Sequence, residues 1–315
     1  MQRVFRWLVS AGSIATLLAV LLGYFGPIVF ELDMFAHFRL HLLILCGPLA
    51  LMAGVMRAGA AFWRTLVAGV LAFAGLAPLW HHPLPPGGDV EIVVAAANLY
   101  RHNDEPVAMK RALLDIDADV LVTVETTKTT LTGPGSLALK YPYRLSLVTS
   151  GQILRAVIWS KFPMHDGQLL LEDQVEPTGA HAIVRVPGAM DVAILGVHLA
   201  HNLFGNQKQQ VDALGRIVAG LPRPLIIMGD FNATAWSHAV RHIEALTTTQ
   251  RVGGFAITWQ GAYPTSLGKI KAPMGLQIDH TLVSPQIGVR SVDWFDLPGS
   301  DHRAVVATLQ LPASG

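Results

Sequence analysis

Eight polar residues of this chain stand where short apolar runs stop, the places at which β-strands end. Asn98 follows Val-Ala-Ala-Ala, Glu125 follows Val-Leu-Val-Thr-Val, and His198 follows Ala-Ile-Leu-Gly-Val. Asp230 and Asn232 come after Leu-Ile-Ile-Met-Gly, Asp279 sits in Gln-Ile-Asp-His-Thr-Leu-Val, and Asp301 and His302 sit in Gly-Ser-Asp-His-Arg. Carboxylates and amides are hard oxygen donors of the kind a divalent cation takes, and imidazoles carry protons near neutral pH. Loops at strand ends are where α/β folds place their chemistry. One Asp or Asn after a strand is an ordinary turn former or helix cap, bonded to its own backbone. Six such places along one chain exceed what capping requires.

The elements that must position these residues follow from the apolar periodicity. Residues 91–97 and 119–124 read as buried strands, with a helix between them over 106–116 carried by Val107, Leu113 and Leu114. Further strands read at 156–159, 182–186, 192–197, 225–228, 277–283 and 305–311, and a helix at 207–219. Alternating strands and helices over residues 91–315 imply one α/β domain with a substantial core.

These motifs resemble the endonuclease/exonuclease/phosphatase superfamily of metal-dependent phosphoesterases. The resemblance is carried by Gly229-Asp230-Phe231-Asn232-Ala233, Ser300-Asp301-His302-Arg303, Ile278-Asp279-His280-Thr281-Leu282-Val283-Ser284, the strand running from Asp119 to Glu125, and Val197-His198-Leu199. It spans residues 91–311 and implies a two-sheet β-sandwich flanked by helices, four layers in all, with the site at the strand ends. It also implies roles. Glu125 would hold Mg²⁺ or Mn²⁺, a hard cation suited to a carboxylate, with Asp301 and Asn98 completing or orienting its shell. Asp230 would align or deprotonate the water, and Asn232 would donate to the phosphate. His302, held in one tautomer by Asp279, and His198 would act on the phosphoryl oxygens. Trp259 resembles the family's aromatic before the Asp279 strand and is a candidate substrate contact; core packing is an equal reading. Two departures, Val124 where a Gln is common and the lack of a tyrosine over 147–162, count against a base-excision type of DNA repair.

Several neighbours have plainer readings. His280 alternates to the face opposite Asp279 and reads as structural. His201 invites a zinc reading, but no third histidine lies near it and His198 in the sequence. Asn206, Gln209 and Gln210 open a helix and read as surface polar residues, with substrate contact the alternative.

Composition divides the chain into two unlike parts. Of 315 residues 51% are hydrophobic and 14% charged, with a mean hydropathy of +0.42, well on the apolar side. Residues 1–80 hold only Arg3, Arg6, Glu31, Asp33, Arg39, Arg57 and Arg64, a net charge of +3 against +1 for the whole, which leaves −2 on the remainder. No dedicated DNA-binding surface is therefore expected. The one cysteine, Cys46, excludes intrachain disulfides and cysteine-based sites.

Uncharged runs predict about three transmembrane helices over 8–30, 40–56 and 60–80, then a Pro/Gly-rich linker at 83–90 and the catalytic domain at 91–315. A cleaved leader is the competing reading of the first run, which is long for one and is followed by more apolar segments. Arg3, Arg6 and the Arg57–Arg64 turn would be cytoplasmic, placing the catalytic domain on the outer face of a cell membrane crossed several times. The sequence thus reads as a membrane-anchored phosphodiesterase or phosphatase acting outside the cytoplasm, on a lipid head group or another envelope phosphoester in contact with the bilayer. An extracytoplasmic nuclease and an inactive membrane receptor or scaffold are the alternatives.

Overall fold

The computed structural model describes residues 2–79, 88–132, 135–146, 154–170, 178–202, 206–265, 268–271 and 274–314. They form two compact units, Met1–His81 with Thr234–Arg241, and His82–Ala233 with His242–Gly315.

The first unit is helical: α1 (Gln2–Leu22), the short α2 (Asp33–His37), α3 (Arg39–Val55) and α4 (Gly59–Ala74). Its interior is small and weakly polar, with Ser13, Thr16, Ala53, Ala61, Ala68 and Ala72 buried, whereas Trp7, Ile28, Leu51, Val55, Trp63 and Val70 are each more than 60% exposed. That is the reverse of a helical bundle made for water; small residues let helices approach closely where large apolar ones face lipid. The expected three spans are corrected. Among the described residues only α1 is by itself long and apolar enough to cross a membrane. The helical stretch Phe30–His37 and α3 qualify only as one pair bent by 53°, and α4, at 16 residues, is too short. The expected span 8–30 ends early because Gly23, whose added Cβ would lie 2.8 Å from the Ala36 amide nitrogen, and the Gly26-Pro27 pair turn the chain. Residues 80–87, most of the expected linker, lie outside the described residues.

The second unit holds, in chain order, β1 (Val90–Asn98), α5 (Pro106–Ile116), β2 (Val120–Thr126), α6 (Lys128–Leu131), β3 (Tyr143–Leu145), β4 (Leu154–Ser160), β5 (Met164–Leu170), β6 (Thr178–Val184), β7 (Val192–His198), α7 (Gln207–Ala219) and β8 (Leu225–Asp230). There follow α8 (His238–Thr247), which begins within the first unit, then β9 (Gln250–Arg251), β10 (Ala262–Thr265), β11 (Gly268–Lys271), β12 (Asp279–Val283), β13 (Gly288–Asp296) and β14 (Arg303–Leu311). One sheet runs β13-β14-β1-β2-β4-β3, the other β5-β6-β7-β8-β12-β9, and β10-β11 form a separate ribbon. The architecture is therefore two mixed sheets with flanking helices, as the family resemblance implied.

The central strands are buried on both faces, successive residues entering different cores. Val94, Val122 and Ile158 of the first sheet share one core with Ile194, Ile226 and Met228 of the second, all fully buried. On the other face of the first sheet Ala95, Leu121 and Trp159 pack with Met109 and Leu113 of α5. At the closest approach Gly196 has no room for a side chain, since an added Cβ would lie 2.6 Å from Val122 Cγ1.

Candidate active site

Topology brings the strand-end residues to one place. β1 and β2 run parallel, so Asn98, the last residue of β1, lies beside Val124 and its neighbour Glu125. β7 and β8 are also parallel, pairing His198 with Asp230, and antiparallel β12 puts its first residue, Asp279, opposite Asp230 on the other side. β14 runs antiparallel to β1, so Asp301 and His302, just before its start, arrive at the same edge.

Two backbone features aim the side chains. Gly229 has φ 144°, and a Cβ there would collide with the Val197 carbonyl, so the turn into Asp230 needs glycine. Glu125 (φ 53°) and Asn232 (φ 47°) hold left-handed conformations that surrounding bonds must maintain.

Asp230, 2% exposed, is the centre. Its Oδ1 accepts from the Asn232 amide at 2.8 Å and its Oδ2 from Asn98 Nδ2 at 3.0 Å. The same Oδ2 lies 3.6 Å from His198 Nε2 and 3.9 Å from His302 Nε2. Asn98 is oriented by the Tyr100 amide, which donates to its Oδ1 at 2.9 Å; its Nδ2 therefore faces Asp230 and, at 3.5 Å, Glu125 Oε1. Glu125 accepts from the Arg101 amide at 2.9 Å, and its other oxygen stands 4.0 Å from His198 Nε2. Asn232 Nδ2 donates to the Leu199 carbonyl at 2.8 Å, leaving a second N–H on the same nitrogen. Trp259 Nε1 donates to Asp301 Oδ2 at 3.0 Å, so this half-buried indole orients a carboxylate.

All nine residues expected at the site thus belong to one connected network. The sequence reading assigned no role to Ser300 or Thr258. Ser300 Oγ donates to the Asn98 carbonyl and accepts from the His302 amide, and Thr258 Oγ1 accepts from the Ile278 and Asp279 amides. Ser300 stood in the quoted motif; Thr258 had no signal beyond its place before Trp259. His280 is structural, bonded through Nε2 to the Ala233 carbonyl with its ring edge-on to Phe231. His201 is exposed, and Gln210 accepts from the Ala200 amide, a loop support.

The Asp279–His302 pair carries the electrostatics. His302 Nδ1 and Asp279 Oδ2 are 2.9 Å apart and both side chains are buried. Burial works against a charged imidazole, but Asp279, by charge and hydrogen bond, and then Asp230 and Asp301 outweigh it and push His302 up to about 10. Burial raises Asp279 to about 6 against the opposing pull of His302. Near neutral pH the pair is therefore imidazolium and carboxylate.

The donors fit a hard divalent cation. Among the described residues Asp301 Oδ1 is buried without a hydrogen-bond partner, and Glu125 presents a carboxylate to the same network. Asp230, Asp279 and His302 also bring potential ligand atoms within 4.8 Å of one another, but there His302 Nδ1 is already bonded to Asp279. Glu125 and Asp301, the ligands the sequence led us to expect, offer the oxygen donors that Mg²⁺ prefers to imidazole.

A family model described as Endonuclease/Exonuclease/phosphatase family matches residues 95–302. Solved structures with a similar fold include a mutant beta toxin from Staphylococcus aureus with bound magnesium ions (14% identity, covering 69% of this chain and 99% of that one, TM-score 0.52). Others are sphingomyelinase C from Streptomyces griseocarneus (14%, 70% and 99%, 0.52) and D. rerio TDP2 complexed with single strand DNA product (14%, 70% and 100%, 0.55). At such identities the likeness is one of fold. None of the curated proteins matches.

The raised His302 pKa sets a sign for stability. The charge on His302 stabilises the fold fully below about pH 6.5, and this contribution is lost as pH rises through about 10. The slope of unfolding free energy against pH over that window is expected to flatten in His302→Gln, measured by denaturant unfolding of both proteins. An unchanged slope would contradict the imidazolium assignment.

Proposed function

Because the chain belongs to the endonuclease/exonuclease/phosphatase family, we propose that it is a metal-dependent phosphoesterase anchored in a cell membrane. Its site would face away from the cytoplasm and hydrolyse a lipid head group or another envelope phosphoester. The observation that carries the chemistry is the buried Asp230 carboxylate, braced by Asn98 and Asn232 and flanked by two imidazole Nε2 atoms.

Glu125 and Asp301 would hold Mg²⁺ or Mn²⁺, which when bound neutralises phosphate charge. Asp230 Oδ2 orients the attacking water and receives its proton. The charged His302 donates Nε2–H to the phosphoryl or leaving oxygen, while Asp279 holds its Nδ1–H and keeps the ring in place. His198 and the free N–H of Asn232 supply further donors for charge that builds on the non-bridging oxygens.

The anchoring is supported by the helical unit, whose small residues are buried and large apolar ones exposed. Arg3 and Arg6, at the start of α1, stay in the cytoplasm by the positive-inside rule, and with α1 as the one crossing the chain beyond it lies outside. The envelope substrate follows from that placement, because chromosomal DNA lies on the other side of the bilayer.

Detergent-purified full-length protein is expected to release product from one class in a panel of phospholipid, sphingomyelin, nucleic-acid and small phosphoester substrates. EDTA should abolish that release, and Asp230→Asn should lower kcat about 10²-fold or more. Activity confined to nucleic acid would replace the envelope reading with the nuclease one, and a folded protein silent on every substrate would favour a scaffold. A phosphatase reporter fused after Gly315 should be active outside the cytoplasm; activity only inside would reverse the orientation.

A further inference from the structure

We infer that Trp259 is a positioning residue for the divalent cation: its indole holds one oxygen of Asp301 and thereby leaves the other to the ion. The inference rests on the proposed placement of that ion on Glu125 and Asp301. The sequence left Trp259 between substrate contact and core packing, and the geometry gives it a third role.

Asp301 is held in both its main chain and its carboxylate by neighbours of Trp259 and by Trp259 itself. Its carbonyl accepts from the Gln260 amide at 2.9 Å, and its Oδ2 accepts from Trp259 Nε1 at 3.0 Å. Two residues on, the Arg303 amide donates to the Thr258 carbonyl at 2.8 Å. The carboxylate therefore cannot turn without losing the indole bond. Among the described residues its Oδ1 is buried without a hydrogen-bond partner, and His302 Nε2 stands 3.9 Å away, beyond hydrogen-bond reach. A buried carboxylate oxygen that meets no donor is costly, and a bound cation removes that cost.

The type of donor matters. An indole offers one N–H, accepts nothing and carries no charge. It orients the carboxylate without cancelling its charge, as a Lys or Arg in its place would do, so Asp301 keeps that charge for a dication. A group that bonds the far atom of a metal ligand in this way sets how well the ligand is aimed.

Trp259 is itself braced. Its amide donates to the Leu276 carbonyl and its carbonyl accepts from the Leu276 amide, both at 2.9 Å, while its other side bridges to His302. Small residues leave it room: a Cβ at Gly275 would collide with the Trp259 carbonyl, and one at Gly261 would lie 3.5 Å from the indole ring. Thr258 Oγ1, one residue earlier, accepts from the Ile278 and Asp279 amides. One short stretch thus aligns the cation ligand through Trp259 and the carboxylate partner of His302 through Thr258.

The test titrates metal-free full-length protein in detergent with Mn²⁺ by calorimetry. Unfolding in EDTA and steady-state kinetics at saturating Mn²⁺, on the substrate found active, accompany it. Trp259→Phe, which keeps an aromatic ring and loses the N–H, should weaken Mn²⁺ binding about tenfold or more, as loss of a group that orients a metal ligand does. Its unfolding midpoint in EDTA and its KM at saturating Mn²⁺ should change little. Trp259→Met, a pliable filler without the donor, should show the same loss and decides the matter if the phenylalanine variant does not fold. Trp259→His, which keeps a ring N–H, should recover part of the affinity. Unchanged Mn²⁺ affinity in Trp259→Phe would overturn the inference: with a lowered midpoint the indole is a packing group, and with a raised KM it is a substrate contact. Glu125→Gln and Asp301→Asn keep the two possible failures apart. If neither weakens Mn²⁺ binding, the placement of the cation falls and the inference with it; if both do and Trp259→Phe does not, only the role of Trp259 falls. Calorimetry decides this even for a protein silent on every substrate.

Discussion

The structure depends on the burial of one carboxylate. Asp230 lies at the end of β8 with 2% of its surface exposed, and a carboxylate taken out of water must be met by donors or charges on every side. Asn98, the Asn232 amide and two imidazoles meet it, and each of these is itself fixed by another group. Tyr100 holds Asn98, Leu199 holds Asn232 and Asp279 holds His302. Strained backbone at Glu125 and Asn232 and a glycine-only turn at Gly229 are the local consequence. The order this imposes is that of a preorganised site, in which dipoles point at developing charge before substrate arrives.

Much of this was legible in the sequence because strand-end residues announce themselves: a run of Val, Ile, Leu and Ala stops at a residue that has no reason to be apolar. The parallel pairs β1–β2 and β7–β8 and the antiparallel β12 and β14 then bring all eight to one edge, an arrangement the family motifs implied but periodicity alone does not. The helices 106–116 and 207–219 match their expected bounds because each has a clear apolar stripe. What escaped were edge strands. β5 and β13 are largely exposed, carry charged residues and show no apolar run, which is how sheets discourage pairing with other chains. Supports such as Ser300 and Thr258 escaped too, since a hydroxyl that accepts a backbone amide leaves no pattern in sequence.

The N-terminal region was legible in composition and misjudged in geometry. Counting uncharged residues gave three spans, whereas Gly23, Gly26 and Pro27 break the first run and the break before Arg39 bends the second. Asp33 and Arg39 entered the sequence reading only as two of the seven charges of residues 1–80. Both are buried, and their partners lie in residues 234–239, a separation no local pattern reveals. The few charges in an apolar region are thus its most specific structural feature.

The central claim is that a hard divalent cation sits on Glu125 and Asp301, beside an Asp230 left free to handle water. Crystals of the full-length protein soaked in Mn²⁺ and measured at the manganese absorption edge test it most directly. The account predicts an anomalous peak at about 2.0–2.2 Å from oxygens of Glu125 and Asp301, the distance expected for a small hard dication. A peak enclosed by Asp230, Asp279 and His302, or none at saturating Mn²⁺, would contradict it.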